Sequence, residues 1–192
     1  MLPIDIAAFH ALNAGAGTPQ AVIDLARWIS SGLPLVGAGL LAGALAAGSH
    51  GTRRAVALGL ASLLLTWCVV SAIRWSFPMP RPAQLGLGMQ WIDQGARAGF
   101  PSMHTATAFA LALGLALGRL RLAAALAWLC AVAMAWSRVC LGVHFPSDVI
   151  AGALAGTASA WAVFALREHW IRPRGKFSAY WFRPARPSAR RT

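Results

Sequence analysis

The sequence predicts an all-α fold: a polytopic membrane bundle of about five to six transmembrane helices. Three observations carry that expectation. Hydrophobic residues make up 58% of the 192 residues and charged residues only 11%, where a soluble domain carries roughly 25% charged residues. Arginines cut the chain into uncharged apolar blocks close to the roughly 17–25 residues that a spanning helix needs. The basic residues also collect at alternate block boundaries, as the positive-inside rule requires. With a mean hydropathy of +0.59, the chain could not cover a water-facing surface. A soluble enzyme, a disordered tail and a cytosolic nucleic-acid binder are excluded.

The elements follow in chain order. Residues 3–14 place Ile4, Phe9 and Leu12 among polar residues, which fits an amphipathic interfacial helix or an extra loop. No basic leader precedes them, so the first span is expected to act as the insertion signal. That span is 28–49, without a charge, and the second is 55–73. The third runs over 102–118, bounded by Arg119. The fourth, 122–137, is slightly short, but Arg121 and Arg138 can snorkel at its ends. The fifth is 149–166, between Asp148 and Arg167. Small residues recur, as in GAGLLAGALAAG over 37–48, and let helices approach closely. Trp75, Trp91, Trp136 and Trp170 read as an interfacial belt.

Charge sets the orientation. Seventeen basic and 5 acidic residues give a net charge of +12, and Lys176 is the only lysine. Arg53, Arg54, Arg119, Arg121, Arg167 and the basic residues from Arg172 onward sum to twelve on one side. Arg27, Arg74, Arg81, Arg97 and Arg138 make five on the other. The larger group belongs in the cytoplasm. The expected organisation is therefore a membrane-embedded domain over 1–170 and a basic cytoplasmic tail over 171–192, lying on the anionic leaflet rather than on nucleic acid. Cys68, Cys130 and Cys140 are odd in number and lack metal-ligand spacing, so neither a disulfide framework nor a zinc site is expected.

The outer arginines are the anomaly. Arg74 ends the second span and Arg81 follows it. Ser102 and His104 open the third, Arg138 ends the fourth, and His144 and Asp148 lead into the fifth. His104 and Arg138 are 34 residues apart, or about 51 Å of helix at about 1.5 Å per residue, which is one round trip across a bilayer. All these residues return to one face. Three guanidiniums match phosphate oxygens. Pro101 and Pro146 open helices whose free N–H groups point to the same place. Two histidines and a carboxylate can supply a nucleophile, its orienting partner and a proton donor, and the spacing of four between His144 and Asp148 allows a hydrogen bond. The chemistry indicated is phosphoryl transfer at the outer membrane boundary. Three adjacent guanidiniums would repel a dication, so no zinc is expected on His104, His144 and Asp148. His10, His50 and His169 read as solvated anchors, Asp5, Asp24 and Asp93 as loop or interface residues, Glu168 as an answer to neighbouring arginines, and Arg97 as a solvated loop residue.

At these residues the sequence resembles the type 2 phosphatidic acid phosphatase superfamily, whose motifs are K-x6-R-P, P-S-G-H and S-R-x5-H-x3-D. Here they read RWSFPMPRP from Arg74 to Pro82, PSMH over 101–104, and SRVCLGVHFPSD over 137–148. The resemblance covers roughly 1–170 and is nearest to the compact bacterial undecaprenyl-diphosphatase branch. Two positions depart from the pattern. Arg74 replaces the lysine, keeping charge but adding a planar fork. Met103 replaces the glycine that lets backbone approach phosphate, so the phosphate pocket changes shape and Met103 faces the lipid chain.

The resemblance implies a mechanism. His144 attacks phosphorus, Asp148 fixes its tautomer, and His104 protonates the leaving oxygen and then activates water. Arg74, Arg81, Ser102 and Arg138, with the backbone around Met103, hold the phosphoryl oxygens. No cofactor or metal is implied. The partners are the bilayer and a lipid phosphate or diphosphate substrate. The implied location is the bacterial inner membrane, with the site facing the periplasm. Three activities are compatible: an undecaprenyl diphosphate hydrolase, a phosphatidylglycerol phosphate or phosphatidic acid phosphatase, and a phosphotransferase from undecaprenyl diphosphate to lipid A. A binding or flipping protein with a dead site would differ by releasing no phosphate.

Overall fold

The computed structural model describes residues 3–95 and 97–171; the basic tail expected over 171–192 lies outside them from residue 172 on. The described residues form six α-helices and no strand. They are α1 (Pro3–Leu12), α2 (Gln20–Ala47), α3 (His50–Ser76), α4 (Met103–Leu117), α5 (Arg121–Cys140) and α6 (Pro146–Ile171), with a short 3-10 turn at Pro82–Leu85. The breaks have local causes. Gly48 ends α2, and the Ser49 hydroxyl caps α3 by accepting from the Thr52 N–H at 3.2 Å. Gly118 ends α4, and Pro146 opens α6, where its missing N–H costs nothing.

Four helices are long and apolar enough to cross a membrane: α2, α3, α5 and α6. The chain is a multi-pass membrane protein. Several helices run past the expected blocks: α3 spans His50–Ser76 rather than 55–73, and α6 spans Pro146–Ile171 rather than 149–166. Helix α2 starts at Gln20, eight residues before the uncharged block, and so includes Asp24 and Arg27. Those two charges pair at 3.2 Å, and Arg27 also donates to the Trp91 carbonyl. A charge satisfied in this way does not mark a helix end. The third expected span, α4, has 15 residues, about 22 Å at the helical rise, against about 30 Å of hydrocarbon. It is the central helix, packed against α3, α5 and α6. Non-helical backbone at membrane depth survives only when buried in protein, and Pro101 and Ser102, which precede α4, are buried.

Close approach of α4 and α6 depends on glycine. A methyl group at Gly152 would come within 2.6 Å of the Ser102 carbonyl oxygen, and one at Gly156 would overlap the Ala106 backbone. Leu35, Leu40, Leu64, Leu129 and Leu154 face outward, as lipid-facing side chains do. The segment 3–14, compatible with a helix or a loop from sequence, is helical over Pro3–Leu12. Phe9 anchors it, buried against Phe145, Val139 and Val149.

Candidate active site

The sequence places its phosphate-binding candidates at helix ends, and the fold brings several of those ends into contact. The loop from α5 to α6 carries His144. Its turn needs Gly142, whose φ is +73° and whose position leaves no room for a side chain against Met89 and Asn13. His144 is 1% exposed. Its Nδ1 lies 3.2 Å from Asp148 Oδ2, and that oxygen also accepts the Phe145 N–H at 3.0 Å. A carboxylate acceptor requires the proton on Nδ1 and leaves Nε2 unprotonated, able to accept a hydrogen bond. Arg81 Nη1 sits 3.3 Å from that Nε2. The ring is held well below the ordinary histidine value, first because burial penalises an imidazolium, then because Arg138, Arg81 and Arg74 surround it. It is therefore neutral at neutral pH.

Arg81 is buried, and besides His144 its guanidinium meets backbone carbonyls. Its Nε donates to the Arg97 carbonyl at 2.9 Å, Nη1 to the Val143 carbonyl at 2.9 Å, and Nη2 to the Ala98 carbonyl at 3.4 Å. The Gln84 side chain accepts its backbone N–H. Burial lowers its pKa, and the Asp148 carboxylate opposes that shift.

Arg74 ends α3 and grips the Pro101 carbonyl with Nε at 3.0 Å and Nη2 at 2.8 Å. This two-pronged contact is one a lysine could not make. Ser102 is fully buried. Its N–H donates to the Asp148 carbonyl at 2.9 Å, and its hydroxyl accepts from Thr105. The PSMH turn and the SRVCLGVHFPSD segment are thus joined through backbone.

Arg138 is the most telling residue. It is 1% exposed; Nη1 donates to the Ser30 hydroxyl of α2. Its Nε and Nη2 are buried with no hydrogen-bond partner among the described residues. Orphan charged donors of this kind are costly, and a bound oxyanion satisfies them.

His104 occupies the first turn of α4 and is half-buried. Among the described residues none hydrogen-bonds its ring, yet it lies near enough to His144 to affect its charge. It stands on the wall of an apolar cavity of about 470 Å³ between α2, α3, α4 and α5. Along α4 that wall is His104, Thr107, Ala108 and Leu111. Met103, expected to face a lipid chain, is not among the residues that line it. Met103 begins α4 and is half-buried.

Several partners were invisible in sequence: Ser30 on Arg138, Thr105 on Ser102, Gln84 on Arg81, and Asp5, whose carboxylate holds Ser147. No three His, Cys, Asp or Glu side chains group as metal ligands among the described residues.

Six helices around a buried, arginine-rich pocket with an oriented imidazole define a membrane phosphoryl-handling protein. The PAP2 superfamily model matches residues 55–172, and the chain belongs to that family of phosphatases. It is 32% identical over 158 residues to the Escherichia coli (strain K12) protein named "Putative undecaprenyl-diphosphatase YbjG", covering 80% of this chain and 77% of that one. Its fold matches the crystal structure of Aquifex aeolicus LpxE with a TM-score of 0.71 and 26% identity, over 85% of this chain and 96% of the other.

Proposed function

We propose that this protein hydrolyses undecaprenyl diphosphate to undecaprenyl phosphate and inorganic phosphate, on the outer face of the bacterial inner membrane. The observation that carries this reading is the orphan Nε and Nη2 pair of Arg138, buried beside a neutral His144 already oriented by Asp148. His144 Nε2 attacks the terminal phosphorus. A P–N bond forms, and the P–O bond to the lipid phosphate breaks. His104 gives a proton to the departing oxygen. It then takes one from water, which attacks the phosphohistidine, releases phosphate and restores His144. Arg138, Arg81, Arg74 and Ser102 stabilise the equatorial oxygens, with the N–H groups around Met103. Asp148 stabilises the developing imidazolium. The guanidiniums supply the charge that a metal would otherwise bring, so EDTA leaves the rate unchanged.

The apolar cavity supports a lipid substrate. It begins at His104 and follows α2 from Leu33 to Leu45, about 18 Å of helix, a length suited to hydrocarbon rather than a soluble phosphate ester. The similarity to the Escherichia coli protein favours the prenyl diphosphate. The test is phosphate release by purified protein on undecaprenyl diphosphate, phosphatidic acid and phosphatidylglycerol phosphate, each with and without EDTA. The highest kcat/KM is expected on undecaprenyl diphosphate. A higher value on either glycerolipid reassigns the substrate. Release only after lipid A is added makes the enzyme a transferase, and loss of activity in EDTA overturns the metal-free mechanism.

A further inference from the structure

Two of the three residues that separate the reactive pair are held from outside the bundle. Between His144 and Asp148 lie Phe145, Pro146 and Ser147. Helix α1 grips two of them with side chains one turn apart. The Phe9 ring packs on Phe145 with centroids 5.3 Å apart, and Phe9 is fully buried. Asp5 takes Ser147 at both oxygens: Oδ1 accepts the Ser147 N–H at 2.9 Å and Oδ2 the Ser147 hydroxyl at 2.6 Å. Residues four apart on a helix face the same way, so α1 presents an apolar and an acidic finger to one strip of backbone. Asp5 also sits against the N-terminus of α6, where negative charge is favoured.

The geometry links this grip to the reactive atoms. Asp148 Oδ2 orients His144 and simultaneously holds the Phe145 N–H. Any slip of 145–147 is therefore transmitted to the Nδ1···Oδ2 contact. The family match begins at residue 55, so α1 lies outside the matched segment.

We propose that Asp5 is a positioning residue for the reaction: through Ser147 it holds the first turn of α6 in the register that aligns His144 with Asp148. This rests on the reading of His144 as nucleophile. It makes a kinetic statement that a mere anchor for α1 does not: loss of the contact lowers kcat and leaves KM alone, because alignment of the nucleophile matters in the transition state and not in lipid binding.

The test uses the full chain in detergent, with phosphate release from undecaprenyl diphosphate and a thermal melt for each variant. Asp5→Ala is expected to lower kcat by about ten- to hundredfold, the scale of a small misplacement of reacting groups, with KM changed by less than about twofold. Asp5→Asn, which keeps an acceptor for the Ser147 N–H, is expected to lose less. Adding Ser147→Ala to Asp5→Ala should cost little more, because both remove one contact. Should Asp5→Ala fail to fold, Asp5→Asn and Ser147→Ala carry the test. A wild-type kcat per folded molecule in these variants, whatever the melting temperature, overturns the proposal. His144→Ala is the control: if it stays active, the underlying reading fails; if it is dead while Asp5→Ala turns over normally, only the role of Asp5 falls.

Discussion

The two imidazoles stand in opposite surroundings. His144 is buried, neutral, and fixed by Asp148 on one nitrogen and Arg81 near the other. His104 is half-buried, its ring free of hydrogen bonds among the described residues, and open to the apolar cavity. The difference fits the roles proposed for the two histidines. A nucleophile gains from arrangement completed before substrate arrives, and the neighbours of His144 are themselves fixed by backbone, Asp148 by the Phe145 N–H and Arg81 by the Arg97 and Val143 carbonyls. A proton donor to the leaving oxygen must admit the lipid that carries that oxygen, so its wall is small and apolar.

The contrast can be broken by substitution. Removing the proposed nucleophile is the largest expected effect: His144→Ala should lower phosphate release by at least about a thousandfold, with none of the covalent phosphoprotein that an alkaline denaturing quench should trap from the unsubstituted chain. Arg138→Ala should follow at about a hundred- to thousandfold in kcat, the range for one preorganised oxyanion donor group. Arg138→Lys should recover little of it, since an ammonium cannot fill both orphan positions. On the opposite wall the effect is smaller and different in kind. Gly37 lines the cavity, and a side chain there meets nothing within 4 Å. Gly37→Phe should therefore fold, raise KM for the long-chain lipid about tenfold by occupying hydrocarbon space, and leave a short-chain soluble diphosphate unaffected. An equal loss on both substrates would mean that the cavity does not take the chain.

The smallest effect concerns pH. His144 is held neutral well below its ordinary value of 6.5, so the acid limb of kcat/KM should lie below pH 6.5. A limb centred at or above that value would contradict the surroundings described. The sign for stability is the same. The unfolded chain protonates this histidine near pH 6.5 and the folded chain does not, so acidification through that range favours unfolding. Melting temperatures measured from pH 7.5 to 5.5 should fall accordingly.

How much of this was legible in sequence differs between the two walls. The positions of His144 and Asp148 follow from a spacing of four at a helix start, which a linear pattern records. The grouping of Arg74, Arg81, Ser102 and Arg138 at one end follows from span lengths. The cavity was not legible, because its lining of glycine, alanine and leucine looks like any packed span. Nor was the short α4 behind the buried Pro101 and Ser102: hydropathy marks apolar residues but not the depth at which a helix starts. Asp24 and Arg27 misled the start of α2 for the reason already given, that a paired charge is tolerated inside a helix.

By itself, the sequence determined an all-helical membrane protein and the set of polar groups that share one end of it. Those features depend on composition and on distances along the chain. Only the tertiary structure decided what each polar group touches. Apart from the Arg81 contact with His144, the partners of the Arg74 and Arg81 guanidiniums are backbone carbonyls, which every residue has and no sequence pattern distinguishes. Those of Arg138 and Ser147 are Ser30 and Asp5, more than a hundred residues away. Such pairings exist only after helices have packed, because packing at close distance is what removes water and forces each remaining donor to find an acceptor or wait for an anion.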